Sequence, residues 1–255
     1  DSMGKVIDFA EKPKTVSELD HFRLKPAFYK KWKTKHLKSD AYLASMGIYV
    51  FKRNVLVDLL TKDQRHDFGY HLIDTCVRTK KTSAYVYNGY WEDIGTVRSY
   101  YKSNLILTQN NKGLNTYDEE NPIYTRATYL PGPKIKQSLI TDSIICEGSI
   151  IEAKEISNSV IGLRSRIKKG TIIRDSVLMG NHFYMSPAQG EKPSEPLSVI
   201  GENCLIEKTI IDEHVQIGNN VRLINKQKHK HFDSENLYVR DGIVIVTAGT
   251  KLPNN

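Results

Sequence analysis

An aliphatic residue returns every six positions in the stretch Ile161-Gly162-Leu163-Arg164-Ser165-Arg166-Ile167-Lys168-Lys169-Gly170-Thr171-Ile172-Ile173. A period of six fits neither the 3.6-residue turn of an α-helix nor the two-residue alternation of an ordinary strand. It is typical of a parallel β-helix, in which each hexad forms one short face and stacked aliphatic side chains fill the axis. The sequence therefore predicts a β-helix over residues 138–255. The further members of the pattern are Ile144, Ile150, Ile156, Ile200, Ile206, Ile211, Ile217 and Leu223.

Two segments interrupt the predicted coil. Residues 181–196 carry three prolines and a glycine, which predict a loop that protrudes between turns. Residues 226–236 begin with a basic run, after which residues 242–246 predict a final strand. A β-helix by itself says little about chemistry, so its simplest role is a scaffold for assembly.

The residues before the repeats have the mixed pattern of an α/β domain. Strands are predicted over residues 4–10, 42–51 and 83–87, and Asn88-Gly89 predicts a tight hairpin into residues 90–96. Helices are predicted over residues 55–61 after an Asn54 cap, over residues 69–79, and from Thr96 towards Gln109. The predicted domains are an α/β domain over 1–110, a proline-marked linker over 111–137 and the β-helix over 138–255.

Composition describes a globular protein. The 255-residue chain is 39% hydrophobic and 26% charged. It contains no apolar run of about 18 residues and does not open on a signal segment, so we expect a cytoplasmic protein with no membrane partner. Cys76, Cys146 and Cys204 lie far apart without metal-ligand spacing, which argues against a disulfide framework and a zinc site.

The net charge of +8 raises the question of an anionic partner. The cations concentrate in two runs, residues 30–38 and 226–231. We interpret both runs as solvated loops and expect no nucleic-acid partner. The alternative for either run is an anion, either a polynucleotide or a phosphorylated metabolite.

A candidate site lies in the stretch Tyr90-Trp91-Glu92-Asp93-Ile94-Gly95-Thr96. Two aromatic residues precede the Asp93 carboxylate, and Thr96 can cap the helix that follows. Asp93 either stabilises this turn and helix start or serves as a functional carboxylate. The local sequence leaves both interpretations open.

No glycine-rich phosphate loop of the GxGxxG or GxxxxGK[ST] kind occurs in the sequence. The chain also enters its first predicted strand almost at once. A truncated α/β domain would explain both observations.

Five motifs in register resemble one family. They are Phe9-Ala10-Glu11-Lys12-Pro13, Ala44-Ser45-Met46-Gly47-Ile48-Tyr49, His66-Asp67-Phe68-Gly69, residues 90–96 and the hexapeptide coil. Together they resemble ADP-glucose pyrophosphorylase (glucose-1-phosphate adenylyltransferase), the enzyme of glycogen and starch synthesis. The resemblance implies an α/β plus β fold, namely the C-terminal part of a Rossmann-like nucleotidyltransferase domain followed by a left-handed parallel β-helix of hexapeptide repeats.

The resemblance also implies a reaction, in which ATP and glucose 1-phosphate give ADP-glucose and pyrophosphate. Such a transfer needs positioning and charge stabilisation, with Mg²⁺ as the cofactor. Lys12 matches the lysine that holds the phosphate of glucose 1-phosphate, and Glu11 and Ser45 match residues that contact the hexose. Asp93 matches a carboxylate that helps hold the catalytic metal. Taken singly, Lys12 could be a surface charge, Glu11 a turn residue and Ser45 strand filler.

The chain departs from the family pattern in its catalytic parts. The family's glycine-rich loop with its arginine has no counterpart here, and neither does the second metal-binding aspartate. We therefore expect this chain to be a C-terminal portion that is inactive alone and holds no metal tightly at Asp93.

Regulation and assembly are implied less directly. Lys226 falls on a position where plant members bind an anionic activator, whereas the second such lysine corresponds to Ala248. The arginine that bacterial members use for a nucleotide effector falls near Glu213. Members form homotetramers or heterotetramers, and we expect a homotetramer.

Three other functions remain open from the sequence. The first is a sugar-nucleotide pyrophosphorylase that uses UTP, dTTP or GTP. The second is a hexapeptide-repeat acyltransferase, for which His214 would be the base. The third is a non-catalytic subunit whose coil mediates assembly or regulation.

Overall fold

The computed structural model describes residues 3–32, 41–63, 65, 67–109, 114–182 and 199–255. It divides into two compact units, Asp1–Trp91 and Glu92–Asn255. Within the described ranges, no helix is both long enough and apolar enough to cross a membrane. The prediction of domain limits at residues 110 and 138 stays a prediction.

The first unit is built mainly from short helices. A small core of Leu59, Leu72 and Cys76 holds the helix Arg53–Lys62 against the two helical segments that follow it. Thr15 caps the helix Val16–His21 with its side chain and forms a reciprocal capping box with Glu18. The helices are α1 (Val16–His21), α2 (Pro26–Trp32), α3 (Arg53–Lys62), a π-helix (Phe68–Ile73) and α4 (Asp74–Thr79).

The helix predicted over residues 69–79 is confirmed, as a π-helix that continues into α4. Its predicted apolar face, Leu72, Ile73, Cys76 and Val77, is buried. The predicted Asn54 cap is wrong, because α3 begins at Arg53 and Lys52 holds the cap position. Lys52 makes no side-chain hydrogen bond there, so the sequence carried no cap signal at that residue.

The predicted strands of this unit are largely absent from the residues described. Lys5 forms one antiparallel bridge with Ser83, and residues 42–51 belong to no strand. The hairpin predicted at Asn88-Gly89 is wrong as well, since Ser83 pairs with Lys5 instead of with residues 90–96. Alternation reports whether side chains suit a sheet, whereas a strand also needs a neighbour to receive its hydrogen bonds. Val50 is accordingly 98% exposed.

The second unit opens with α5 (Val97–Ile106), and the predicted Thr96 cap is confirmed. The Thr96 hydroxyl accepts a hydrogen bond from the Ser99 amide at 3.1 Å. The helix packs through Tyr101 and Leu105 on the outer face of the coil, beside Val177 and Ile210.

The predicted parallel β-helix is confirmed. Its short strands are β1 (Lys134–Ile135), β2 (Leu139–Thr141), β3 (Ile144–Ile145), β4 (Ile150–Ile151), β5 (Glu155–Ser157), β6 (Val160–Leu163), β7 (Arg166–Ile167), β8 (Ile172–Arg174), β9 (Val177–Gly180), β10 (Val199–Ile200), β11 (Leu205–Glu207), β12 (Thr209–Ile211), β13 (Gln216–Ile217), β14 (Arg222–Leu223), β15 (His231–Asp233), β16 (Leu237–Arg240), β17 (Ile243–Val246) and β18 (Lys251–Leu252). They form three sheets, ordered β1-β4-β7-β10-β13-β18, β14-β11-β8-β5-β2 and β15-β16-β17-β12-β9-β6-β3.

Three columns of aliphatic side chains fill the axis, one from each sheet. The first runs Ile151, Ile167, Ile200, Ile217 and Leu252, and Ile135 continues its register at the first strand, where the side chain is 47% exposed. The second runs Ile140, Ile156, Ile173, Ile206 and Leu223. The third runs Ile145, Ile161, Leu178, Ile211 and Val246.

The predicted register is wrong by one residue in the early turns. Ile151 is completely buried in the axial core and the partly buried Ile145 packs against it, whereas the predicted Ile144 and Ile150 are not part of that core. Both positions are isoleucine doublets, and a spacing pattern cannot choose between two identical neighbours.

The second basic segment leaves the coil as an antiparallel arm. β15 pairs with β16, which pairs in turn with β17. The strand predicted over residues 242–246 is confirmed as β17, but it is not the final strand, because β18 follows it. The protruding loop predicted over residues 181–196 lies mostly outside the described residues, as does most of the first basic run.

Candidate functional site

Glu11 and Lys12 lie in an irregular segment of the first unit. Lys12 has a φ of 47°, which places a non-glycine residue in the left-handed region. Its side chain is 79% exposed, and the ammonium lies 4.0 Å from the carboxylate of Glu11, whose side chain is 25% exposed. A pairing at this distance leaves the lysine charge open to an anion.

These two residues line a cleft of about 450 Å³. Such a volume is within the usual range for small-molecule sites. Cations and carboxylates line it together with aromatic rings, so the cleft offers both charged and apolar contacts to a small ligand. The other lining side chains include Lys14, Glu18, His21, Phe22 and Tyr70.

Ser45 lies on an exposed segment, with its hydroxyl held in place. Its Oγ lies 2.9 Å from the Tyr49 hydroxyl and accepts a hydrogen bond from the Gly47 amide at 3.2 Å. The Tyr49 ring lies 5.8 Å from the Phe68 ring, at the start of the π-helix.

The π-helix connects Ser45 with Glu11. Phe68 contacts Tyr49, the hydrogen-bond partner of Ser45, and the next residue, Gly69, lies against the Glu11 carboxylate. The Asp67 side chain accepts a hydrogen bond from the Tyr70 amide at 2.8 Å and so caps this helix. Glu11 thus lies directly against this helix start, whereas Ser45 is linked to it only through Tyr49 and does not line the cleft.

Asp93 belongs to the second unit and is exposed. Its Oδ1 accepts a hydrogen bond from the Gly95 amide at 2.9 Å, just before the Thr96 cap. Of the residues that the structure describes, no group of three or more His, Cys, Asp or Glu could hold a metal. Asp93 therefore offers one carboxylate, a ligand type that Mg²⁺ accepts, and any further ligands would have to come from water and phosphates.

Lys226, the candidate effector residue, is exposed beside the antiparallel arm. The whole run 226–231 is exposed, as a solvated loop requires. Glu213 pairs with His182, whose Nε2 lies 2.8 Å from its carboxylate. His214, the candidate acyltransferase base, has its Nδ1 3.0 Å from the Asn181 side-chain oxygen.

Several clear pKa shifts belong to structural pairs. The Arg65 guanidinium bonds to Asp63 and lowers the pKa of that carboxyl to about 2. Burial raises the pKa of the Tyr101 hydroxyl, which donates to the Asp175 carbonyl at 2.6 Å. These groups hold a loop and a helix in place.

Two family models match the chain. Residues 1–110 match the Nucleotidyl transferase model, and residues 128–255 match the GLGC left-handed parallel beta-helix domain. A nucleotidyl transferase match followed by this coil defines a nucleotidyltransferase of the sugar-nucleotide pyrophosphorylase class. The chain belongs to the ADP-glucose pyrophosphorylase-like family within that class. The nucleotidyltransferase match implies nucleotide and sugar-phosphate substrates, and proteins of this kind typically use Mg²⁺.

Tyr49, Phe68 and Gly69 lie beside the candidate residues in the structure, a position that the sequence did not predict. The only sequence feature that could have indicated it is that all three fall inside the family-like motifs, residues 44–49 and 66–69. Tyr49 lies four residues from Ser45, but the contacts of Phe68 with Tyr49 and of Gly69 with Glu11 join residues far apart in the chain, and no periodicity encodes such contacts. His66 lies outside the described residues.

Proposed function

We propose that the native protein, meaning the unmutated protein to which this chain belongs, is a glucose-1-phosphate adenylyltransferase. It would make ADP-glucose for glycogen or starch synthesis in the cytoplasm. The observation that carries this proposal is the GLGC-type β-helix after a nucleotidyl transferase match on one chain. The cleft beside Glu11 and Lys12 supports it, because its cations and polar groups suit a phosphorylated sugar.

In this proposal each candidate residue has one role. Lys12 binds the phosphate of glucose 1-phosphate, and Glu11 and Ser45 bind hexose hydroxyls. Together they hold the sugar phosphate so that its oxygen attacks the α-phosphorus of the nucleotide, and pyrophosphate leaves. Asp93 would hold Mg²⁺, which neutralises phosphate charge when bound.

The chain of 255 residues contains no glycine-rich nucleotide loop, and we propose that it forms no ADP-glucose by itself. Formation of ADP-glucose from ATP by this chain alone would contradict that statement. We further propose a homotetramer and an anionic effector at Lys226.

The test is a substrate panel on the native protein. Glucose 1-phosphate is supplied with ATP, UTP, dTTP or GTP in turn, and release of pyrophosphate is measured with and without Mg²⁺. We expect turnover with ATP and Mg²⁺, well above that with the other nucleotides. Preference for another nucleotide would make the protein a different sugar-nucleotide pyrophosphorylase, and no turnover with any would favour a regulatory or assembly subunit.

A further inference from the structure

Gly69 lies against the carboxylate of Glu11. A β-carbon built on Gly69 would lie 2.8 Å from Oε2, 2.9 Å from Cδ and 3.4 Å from Oε1 of Glu11. The first two distances are shorter than ordinary contacts between carbon and these atoms. The Glu11 carboxylate therefore occupies the space that a side chain at position 69 would need.

The backbone at Gly69 does not itself require glycine. Its φ lies outside the left-handed region, and the residue stands inside the π-helix Phe68–Ile73. An alanine there is compatible with helical geometry and reduces the freedom of the unfolded chain. What a side chain at position 69 would meet is the neighbouring Glu11 carboxylate.

The helix is held more firmly than the glutamate. Asp67 caps its first turn, Phe68 packs against Tyr49 and Phe51, and Leu72 and Ile73 are buried. Glu11, by contrast, presents the far end of a flexible side chain and is partly exposed. A methyl group at position 69 would therefore displace the carboxylate and leave the helix in place.

We propose that Gly69 is a positioning residue, whose missing side chain leaves room for Glu11 to reach the hexose of the sugar phosphate. This inference rests on the proposed function, because it takes Glu11 as a contact to the sugar. In this proposal, Gly69 affects the affinity for the sugar phosphate only through the position of the Glu11 carboxylate.

The test is Gly69→Ala in the native protein. We expect the KM for glucose 1-phosphate to rise roughly tenfold to a hundredfold, the effect of misplacing a binding group by a fraction of an ångström to an ångström. The KM for ATP and the Tm stay the same, or the Tm rises slightly. The control is Gly132→Ala, because a β-carbon at Gly132 meets nothing within 4 Å and its φ also lies outside the left-handed region.

A double-mutant cycle separates positioning from a general structural defect. Glu11→Ala raises the KM by itself, and in that background we expect Gly69→Ala to add no further rise. An equal rise from Gly69→Ala in both backgrounds would overturn the inference, as would no rise in the native background. If pyrophosphate release by the native protein does not depend on glucose 1-phosphate, the proposed function is wrong, and the inference about Gly69 falls with it.

Discussion

Lys12 combines an uncommon backbone conformation with an exposed charge. A left-handed φ at a residue other than glycine costs on the order of 1 kcal/mol and persists where the surroundings enforce it. Lys12 lies outside the helices and strands, and its side chain lines the cleft.

Replacing Lys12 by glutamine removes the charge and keeps most of the side-chain volume. Because a hydrogen bond from a charged donor is worth about 1.5–3 kcal/mol, we expect the KM for glucose 1-phosphate to rise by about 10- to 100-fold. Steady-state kinetics of the native protein measure this, with Lys81→Gln as a control on an exposed lysine outside the cleft. An unchanged KM would show that Lys12 does not hold the phosphate.

At the scale of the element, each turn of the coil places one aliphatic residue from each sheet on the axis. Ile151, Ile156, Ile161, Ile167 and Ile173 are all completely buried. Such side chains contact the turns above and below. Because the core is close-packed, a change of even one methylene group in one of them alters the packing and the stability.

The observed register predicts a contrast between two adjacent isoleucines. Ile151→Ala should lower the free energy of unfolding by about 2–5 kcal/mol, because it leaves a cavity on the axis. Ile150→Ala is the matched control and should cost much less, since Ile150 is only partly buried. Urea denaturation of the two variants measures the difference. The opposite order would support the register with Ile150 on the axis.

A ladder of charges crosses one face of the coil. The Arg174 Nε donates to Glu155 Oε1 at 2.7 Å, its Nη2 donates to Glu155 Oε2 at 3.0 Å, and its Nη1 donates to Glu207 at 3.2 Å. These three side chains come from neighbouring strands β5, β8 and β11. A bidentate pair of this kind is stronger and more directional than an ordinary surface ion pair.

This ladder gives stability a definite dependence on pH. The hydrogen bonds from Arg174 lower the pKa of the Glu155 carboxyl below 4.5. A lowered pKa stabilises the folded state above the unfolded-state value, and that contribution is lost as pH falls through the folded-state pKa. Arg174→Ala should therefore lower the Tm by a few degrees at pH 7, and the difference from the native protein should shrink below about pH 4.

Scanning calorimetry across this pH range measures the effect. Arg222→Ala serves as the control, because Arg222 lies on β14, next to β11 in the same sheet, and forms no ion pair among the described residues. A difference that persisted unchanged at pH 3 would contradict the assignment to Glu155.

At the scale of the whole molecule, the candidate residues divide between the two units. Glu11, Lys12 and Ser45 belong to the first and Asp93 to the second. Helix α5, which lies within the N-terminal match to the nucleotidyl transferase model, packs on the coil.

Assembly is a property of the whole molecule that sedimentation can test. We expect the native protein to sediment at four times its monomer mass at micromolar concentration, independent of substrate. Dilution provides the internal control, because a weak association would dissociate over the accessible range. A monomer at every concentration would contradict the proposed homotetramer.

The sequence alone determined the coil and the family. A six-residue period repeats the same local signal in every turn, so a misreading of one turn leaves the pattern intact. The capped helix after Thr96 and the apolar face around Leu72 were also predictable, because capping and helical burial depend on residues three or four positions apart.

Only the tertiary structure decided which isoleucine of each doublet reaches the axis, which extended segments find a strand partner, and which residues approach Glu11. Burial of Ile151 depends on Ile167 in the next turn, and a strand at residues 42–51 would depend on a neighbour that local alternation does not specify. Gly69 and Glu11 meet because the π-helix packs beside an irregular segment from the start of the chain. Such contacts are set by the three-dimensional packing of distant segments, whereas local sequence patterns report only on near neighbours in the chain.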